Sequence, residues 1–304
     1  MNSAHPIFVR GALSVPAFRF HSTRRRSWRD RVRANVGGVM LGLMLFRPVL
    51  QAAEPALAWS DEFNQPTGSP PEASRWVYDL GGSGWGNNEL ETYTADRANA
   101  SIVLDPAAVD GHALAIRALR TVTGGYTSAR LKTSGKFSFT YGRVEARMKL
   151  PFGRGIWPAF WLLGDTLGHV DWPACGEIDI MEQLGHDPGR VHGTLHGPGY
   201  SGANGPTAST VLPDGASLSD AYHTYAIDWT PGRIEWSLDG IVYSVRTAAQ
   251  LPADKRWVYD GPMFLLLNLA VGGNWPGRPD SSTTFPQVLL VDYVRVYERR
   301  PDSP

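Results

Sequence analysis

The chain has 304 residues, 42% of them hydrophobic, enough to build a substantial core in one large domain or two small ones. Its 29 basic and 29 acidic residues cancel, which excludes a global electrostatic field favouring nucleic acid or an anionic membrane. A single cysteine, Cys175, excludes an intramolecular disulfide, while 33 glycines and 23 prolines fit many short strands joined by turns.

Residues 1–53 read as a targeting segment rather than part of a fold. Arg24, Arg25, Arg26, Arg29, Arg31 and Arg33 form a basic block, an apolar run follows from Val36 to Phe46, and Gln51-Ala52-Ala53 supplies small residues. That is the layout of a secretory signal. The segment is expected to be largely disordered, and the apolar run is short for a bilayer span. Secretion to the extracellular or periplasmic space is therefore expected, with an uncleaved membrane anchor as the alternative. Residues 54–304 are expected to form a single domain.

From Leu57 onward, strand-like runs alternate with turn signals: Ala113–Leu119, Arg143–Leu150, Ala159–Leu163, Tyr222–Trp229, Arg233–Leu238, Met263–Ala270 and Leu289–Tyr297. No segment holds a helical period beyond about two turns. Many antiparallel strands without βαβ alternation predict an all-β sandwich. The glycine-rich stretch Gly81–Glu89 spaces its glycines wrongly for a dinucleotide fingerprint, and Trp85 stands where a nucleophile elbow needs glycine. Thr127–Leu131 reads as a strand. In Arg143–Lys149, Val144, Ala146 and Met148 share one face, leaving Arg143, Glu145, Arg147 and Lys149 as a mutually paired sheet surface.

Trp157, Ala159 and Trp161 share a face in the next strand. If that strand lies beside the acidic one that follows, two indoles flank the acids and Trp172 supplies a third. Flat indoles cover the CH-rich faces of sugar rings. They also keep a cleft apolar enough to raise a carboxyl pKa.

The run Trp172–Gln183 is the centre of the sequence. Alternation puts Glu177 and Asp179 on one face and Ile178 and Ile180 on the other, but would then place Glu182 among the isoleucines. An unpaired buried carboxylate is too costly for that register. A β-bulge at Ile180-Met181 resets the parity and returns Glu182 to its acidic neighbours. The two glutamate Cα atoms then lie roughly 13 Å apart. Side chains leaning inward leave a gap of about 5–5.5 Å, the separation of a glycosidase that retains configuration. Asp179, between them, is placed to hydrogen-bond Glu177 and to raise the pKa of Glu182. Cys175 has no base beside it and acids flanking it, so it reads as a packing residue rather than a nucleophile. His192 and His196 are four apart, but Gly193, Gly197 and Pro198 disfavour a helix. On a strand, His196 borders the cleft as a hydrogen-bonding partner of the acid/base region rather than a zinc ligand.

The run Gly176-Glu177-Ile178-Asp179-Ile180-Met181-Glu182 resembles the signature of glycoside hydrolase family 16, in the bulged form of its laminarinases, and the likeness extends over roughly residues 57–298. The resemblance implies a β-jelly roll of two curved antiparallel sheets with a substrate cleft across the concave one. It implies a retaining endo-β-1,3-glucanase acting on laminarin-like polymers, with mixed-linkage β-1,3-1,4-glucan as the alternative substrate and a non-catalytic β-glucan-binding protein as the alternative class. By the same resemblance Glu177 is the nucleophile, Glu182 the acid/base and Asp179 its assistant. Asn88, in Gly86-Asn87-Asn88-Glu89, contacts a sugar hydroxyl, Arg130 reaches a sugar oxygen near the nucleophile, and Asn274 lies in a cleft-side loop. No cofactor is needed for the chemistry. A structural Ca²⁺ on the convex face is implied at Glu62, Gly111 (through its carbonyl) and Asp292; the alternative is that Asp292 pairs with a neighbouring arginine. The expected partner is a β-glucan polysaccharide, bound by a monomer that engages neither nucleic acid nor, once processed, a membrane.

Overall fold

A computed structural model describes residues 55–299, so the predicted targeting segment lies outside the described residues. Seventeen strands follow in order: β1 (Leu57–Asp61), β2 (Val77–Asp79), β3 (Glu91–Tyr93), β4 (Ala100–Leu104), β5 (His112–Arg120), β6 (Tyr126–Ser128), β7 (Arg130–Lys132), β8 (Gly142–Lys149) and β9 (Ile156–Gly164). Then come β10 (Glu177–Glu182), β11 (Arg190–His196), β12 (Ala208–Val211), β13 (His223–Thr230), β14 (Arg233–Leu238), β15 (Ile241–Thr247), β16 (Met263–Val271) and β17 (Gln287–Tyr297). Helical structure among the described residues is limited to three short 3₁₀ turns. The seven longer strands expected from the sequence are all present, each end within three residues of its expected place.

The strands form two sheets. One runs β15-β14-β13-β8-β17-β5-β6-β3, with β1 added along β17 and β4 along β5; the other runs β12-β11-β10-β9-β16-β7-β2. Their inner faces meet in one core. Val144, Ala146, Met148, Ile227, Trp229, Val291 and Val294 of the first sheet pack with Phe160, Leu162, Ile178, Leu195, Leu265 and Leu267 of the second. This is the sandwich that the alternation predicts.

Two strands depart from simple alternation for physical reasons. β16, Met-Phe-Leu-Leu-Leu-Asn-Leu-Ala-Val, is buried along its whole length. On the face away from the main core, Phe264 and Leu266 pack with Leu163, Cys175 and Trp161, so the thiol is a packing group as expected. Burial and the charge of Glu177 push that thiol up, away from nucleophilic character. The run Thr127–Leu131 is not one strand. The chain crosses between sheets at fully buried Ala129, with β6 pairing β5 and β7 pairing β16. Apolar alternation continues through the crossing, which is why the sequence reads as uninterrupted.

Candidate active site

The expected bulge is present. Glu177, Ile178 and Asp179 pair in register with His196, Leu195 and Thr194, after which Glu182 pairs with His192, one residue out of step. On the other side, Asp179 faces Trp161 while Met181 faces Phe160. Ile180 is the extra residue, and both Ile180 and Met181 enter the main core. Magnitudes favour this register: a lost ladder bond costs about 1 kcal/mol, whereas burying Met181 returns roughly 2 kcal/mol and an ionised Glu182 in the core would cost several more.

Glu177, Asp179 and Glu182 therefore share the face of the seven-stranded sheet turned away from the core. Two indoles donate to them: Trp172 Nε1 to Glu177 Oε2 at 3.0 Å, and Trp157 Nε1 to Glu182 Oε1 at 3.1 Å. Trp161 stands across from Asp179 and donates to Asn268 Oδ1 at 2.8 Å. Each of the three expected tryptophans thus orients a polar group as well as presenting a ring. Trp172 is 46% exposed, a free face at the mouth of the site.

His196 is buried beside Glu177 and Asp179 rather than Glu182. Gly202 N–H donates to its Nδ1 at 3.0 Å. Nδ1 is an acceptor, so the ring proton sits on Nε2, 2.9 Å from Asp179 Oδ2 and 3.6 Å from Glu177 Oε1. The expected partnership with the acid/base region is corrected to the other end of the acid row. His192 instead pairs across from Glu182. The same tautomer decides the metal question here. Glu177, Asp179 and His196 bring ligand atoms within 4.8 Å of one another. A cation on Nε2 would need that nitrogen stripped of its proton while Nδ1 already accepts from a backbone amide, the reverse of a ligating histidine. The contacts are those of an acid row beside a protonated imidazole nitrogen, not those of a ligating histidine.

Burial pushes all three carboxyls above the ordinary range. Glu177 is raised to about 8 by burial and then by the Asp179 charge, against the pull of His196, Trp172 and Arg130. Asp179 is raised by burial alone. Glu182 is pushed well above its usual value by burial, then by Asp179. Three acids this close in a dry site do not all ionise, so the row holds protons at neutral pH. Glu182 is deeper than half-buried Glu177 and is the member placed to keep one.

On the floor beside the acids, the Arg130 guanidinium lies between two indoles, 4.9 Å from Trp85 and 4.8 Å from Trp161. Asp79 anchors it at 3.0 Å. Arg130 is within electrostatic reach of Glu177, which places it near the nucleophile expected of the sequence, while Trp85 and Asp79 were not anticipated. Trp85 sits in the glycine-rich stretch at φ 48°, and that unusual density of glycines around one indole was the available signal. Asn88 and Asn274 come together at the rim, Asn88 Nδ2 donating to Asn274 Oδ1 at 2.8 Å. Next to them Trp275, 41% exposed, packs edge-on against Trp157 at 5.7 Å and His192 at 5.0 Å. It too was missed, although it adjoins Asn274.

The residues expected to hold calcium do not form an open cradle. Both oxygens of Glu62 accept from Arg295, at 3.0 and 2.7 Å. Asp292 accepts from Val109 N–H at 3.1 Å and pairs with Arg147. The Gly111 carbonyl accepts from Asp105 N–H at 3.0 Å. Two guanidinium groups stand where a cation would be needed, and the arginine alternative for Asp292 is the one the structure contains.

Comparison with known proteins gives a consistent set. The description "Glycosyl hydrolases family 16" belongs to a family model that matches residues 85–295. A β-glucanase of Rhodothermus marinus is 45% identical over 250 residues, spanning 79% of this chain and 84% of its own length. A glucan endo-1,3-β-glucosidase A1 of Niallia circulans is 35% identical over 80% of this chain, which corresponds to 38% of that longer protein. The solved structure of an endo-β-1,3-glucanase from Pyrococcus furiosus superposes with a TM-score of 0.72 at 46% identity, covering 80% of this chain and 94% of its own.

Proposed function

The chain belongs to glycosyl hydrolase family 16, and from that membership we propose that its acid row hydrolyses internal β-1,3 bonds of laminarin-like glucans with retention of configuration. A Glu177 carboxylate oxygen attacks the anomeric carbon as the bond to the leaving oxygen breaks. That oxygen takes its proton from Glu182, whose burial beside Asp179 keeps it protonated until then. The product is a glycosyl ester on Glu177. Glu182, now a carboxylate, removes a proton from water, and the water oxygen displaces Glu177 from the anomeric carbon. Asp179 and His196 hold Glu177 in line, while Trp157 N–H keeps Glu182 aimed. The Trp85–Arg130–Trp161 stack and the Asn88–Asn274 rim supply ring and hydroxyl contacts for an uncharged sugar chain.

The observation that carries this reading is the bulge that seats Glu182 on the face of Glu177 and Asp179. The bound-polymer alternative, a binding protein without turnover, has no use for a buried proton donor so arranged. The test is reducing-sugar release from laminarin, lichenan and agarose side by side, with the anomeric form of the first product followed by NMR. Release from laminarin with the β-anomer appearing first supports it; no release by the wild-type protein, or an α-anomer, overturns it. The basic block and apolar run within residues 1–53 further support export from the cytoplasm.

A further inference from the structure

The bulge needs a reason to hold. An extra residue in a buried strand leaves backbone groups without ladder partners, and such groups are costly unless something reaches them. Here the Asp179 carbonyl, at the start of the irregular stretch, accepts Trp236 Nε1–H at 2.8 Å. Trp236 belongs to β14 of the opposite sheet and is 2% exposed, so this bond crosses the sandwich core. Its path is kept open by Gly193 on β11: a Cβ there would lie 2.6 Å from Trp236 Nε1. Gly193 adjoins His192, the register partner of Glu182. One indole and one missing methyl group thus meet directly beneath the place where the acid row changes parity.

We propose that Trp236, with Gly193 as its clearance, is a positioning residue for the proton donor: it satisfies the bulged backbone from the far sheet and so fixes Glu182 beside Glu177. Neither residue faces the cleft, so both act through β10. The proposal rests on the reading of Glu182 as the acid of a glycosidase. Without the cross-core bond the strand loosens at the bulge, and Glu182 alone loses its seat, because Glu177 precedes the irregularity and keeps His196 and Trp172 as partners. A misplaced acid harms only reactions whose leaving group needs a proton.

That asymmetry supplies the experiment. Trp236→Phe keeps a ring in the core and deletes the N–H; Gly193→Ala pushes the indole away by another route. The full chain and each variant are assayed on laminarin and on 2,4-dinitrophenyl β-laminaribioside, whose phenolate leaves unaided. kcat/KM reports the first bond-breaking step on both. The expected result is a fall of at least about tenfold on laminarin with less than about threefold on the dinitrophenyl glycoside, for either variant. Equal losses on both substrates, or no loss on either, overturn the proposal. A reporter that needs no substrate separates this outcome from failure of the functional reading. With ¹⁵N-tryptophan labelling, the Trp157 indole signal, bonded to Glu182, should move in both variants while that of Trp172, bonded to Glu177, stays. If wild-type protein leaves laminarin intact, the glucanase reading falls. The indole signals then still decide: unmoved Trp157, or Trp157 and Trp172 moving together, overturns the role of Trp236.

Discussion

Trp161 is held from beneath by a run of donors that all point one way. Its indole donates to Asn268, Asn268 Nδ2 to Tyr93 OH at 3.2 Å, and Tyr93 OH to Glu89 Oε2 at 3.1 Å. Tyr93 is 1% exposed, so the middle of the chain cannot borrow water. Tyr93→Phe should therefore free the Trp161 ring and its Arg130 neighbour, raising KM for laminarin by about tenfold with a much smaller change in kcat, read from steady-state kinetics. The acids make a second prediction. Glu177 has its folded pKa raised from 4.5 to about 8, so the folded state binds the proton more tightly than the unfolded chain. Stability from this group is present at low pH and declines as pH rises from about 4.5 towards 8. Glu177→Gln should thus match the wild type in thermal melts near pH 4 and exceed its Tm at pH 8, while abolishing laminarin hydrolysis. The acids were legible in the sequence because strand alternation acts between neighbours. Tyr93, Asp79 and Trp85 were not, because what gives them meaning is contact with residues tens to more than a hundred and fifty positions away.

Among the elements, β10 and β17 each carry one irregularity, and each is matched by a group that makes it tolerable. In β17 the register shifts between Val291 and Tyr293, and Asp292 lies at the shift, 2% exposed against Arg147. Arg147→Met would leave that carboxylate buried and unpaired, a loss of about 3 kcal/mol, lowering Tm by roughly 6–12 °C. Adding Asp292→Asn should recover part of it, since Val109 N–H still has an acceptor; calorimetry of the single and double variants measures both. The sequence located these strands well, because turns rich in glycine and proline punctuate apolar alternation. It joined β6 to β7, since a crossing at a small buried residue leaves that alternation unbroken. It also assigned Asp292 to a cation by resemblance, where Arg147 and Arg295, drawn from two separate strands, supply the positive charge locally.

The full chain balances 29 basic against 29 acidic residues, and whatever charge the processed protein carries, its proposed substrate carries none. Neither steering nor screening then has much to act on, so kcat/KM on laminarin should stay within about twofold between 50 and 500 mM NaCl. The sandwich itself was foreseeable from composition and strand spacing; which sheet carries the acids was not, since both are equally rich in alternating runs. The ten-stranded sheet sets an order on how such a chain assembles. β17 lies inside that sheet, bordered by β8 on one side and by β5 and then β1 on the other, so residues 57–61 wait for residues 294–297. A ribosome must pass position 297 before the earliest strand finds its neighbour. Until then β1, β5 and β8 each lack the strand they border, and a chain halted before residue 287 would carry Glu177, Asp179 and Glu182 on one sheet while the sheet opposite stayed split.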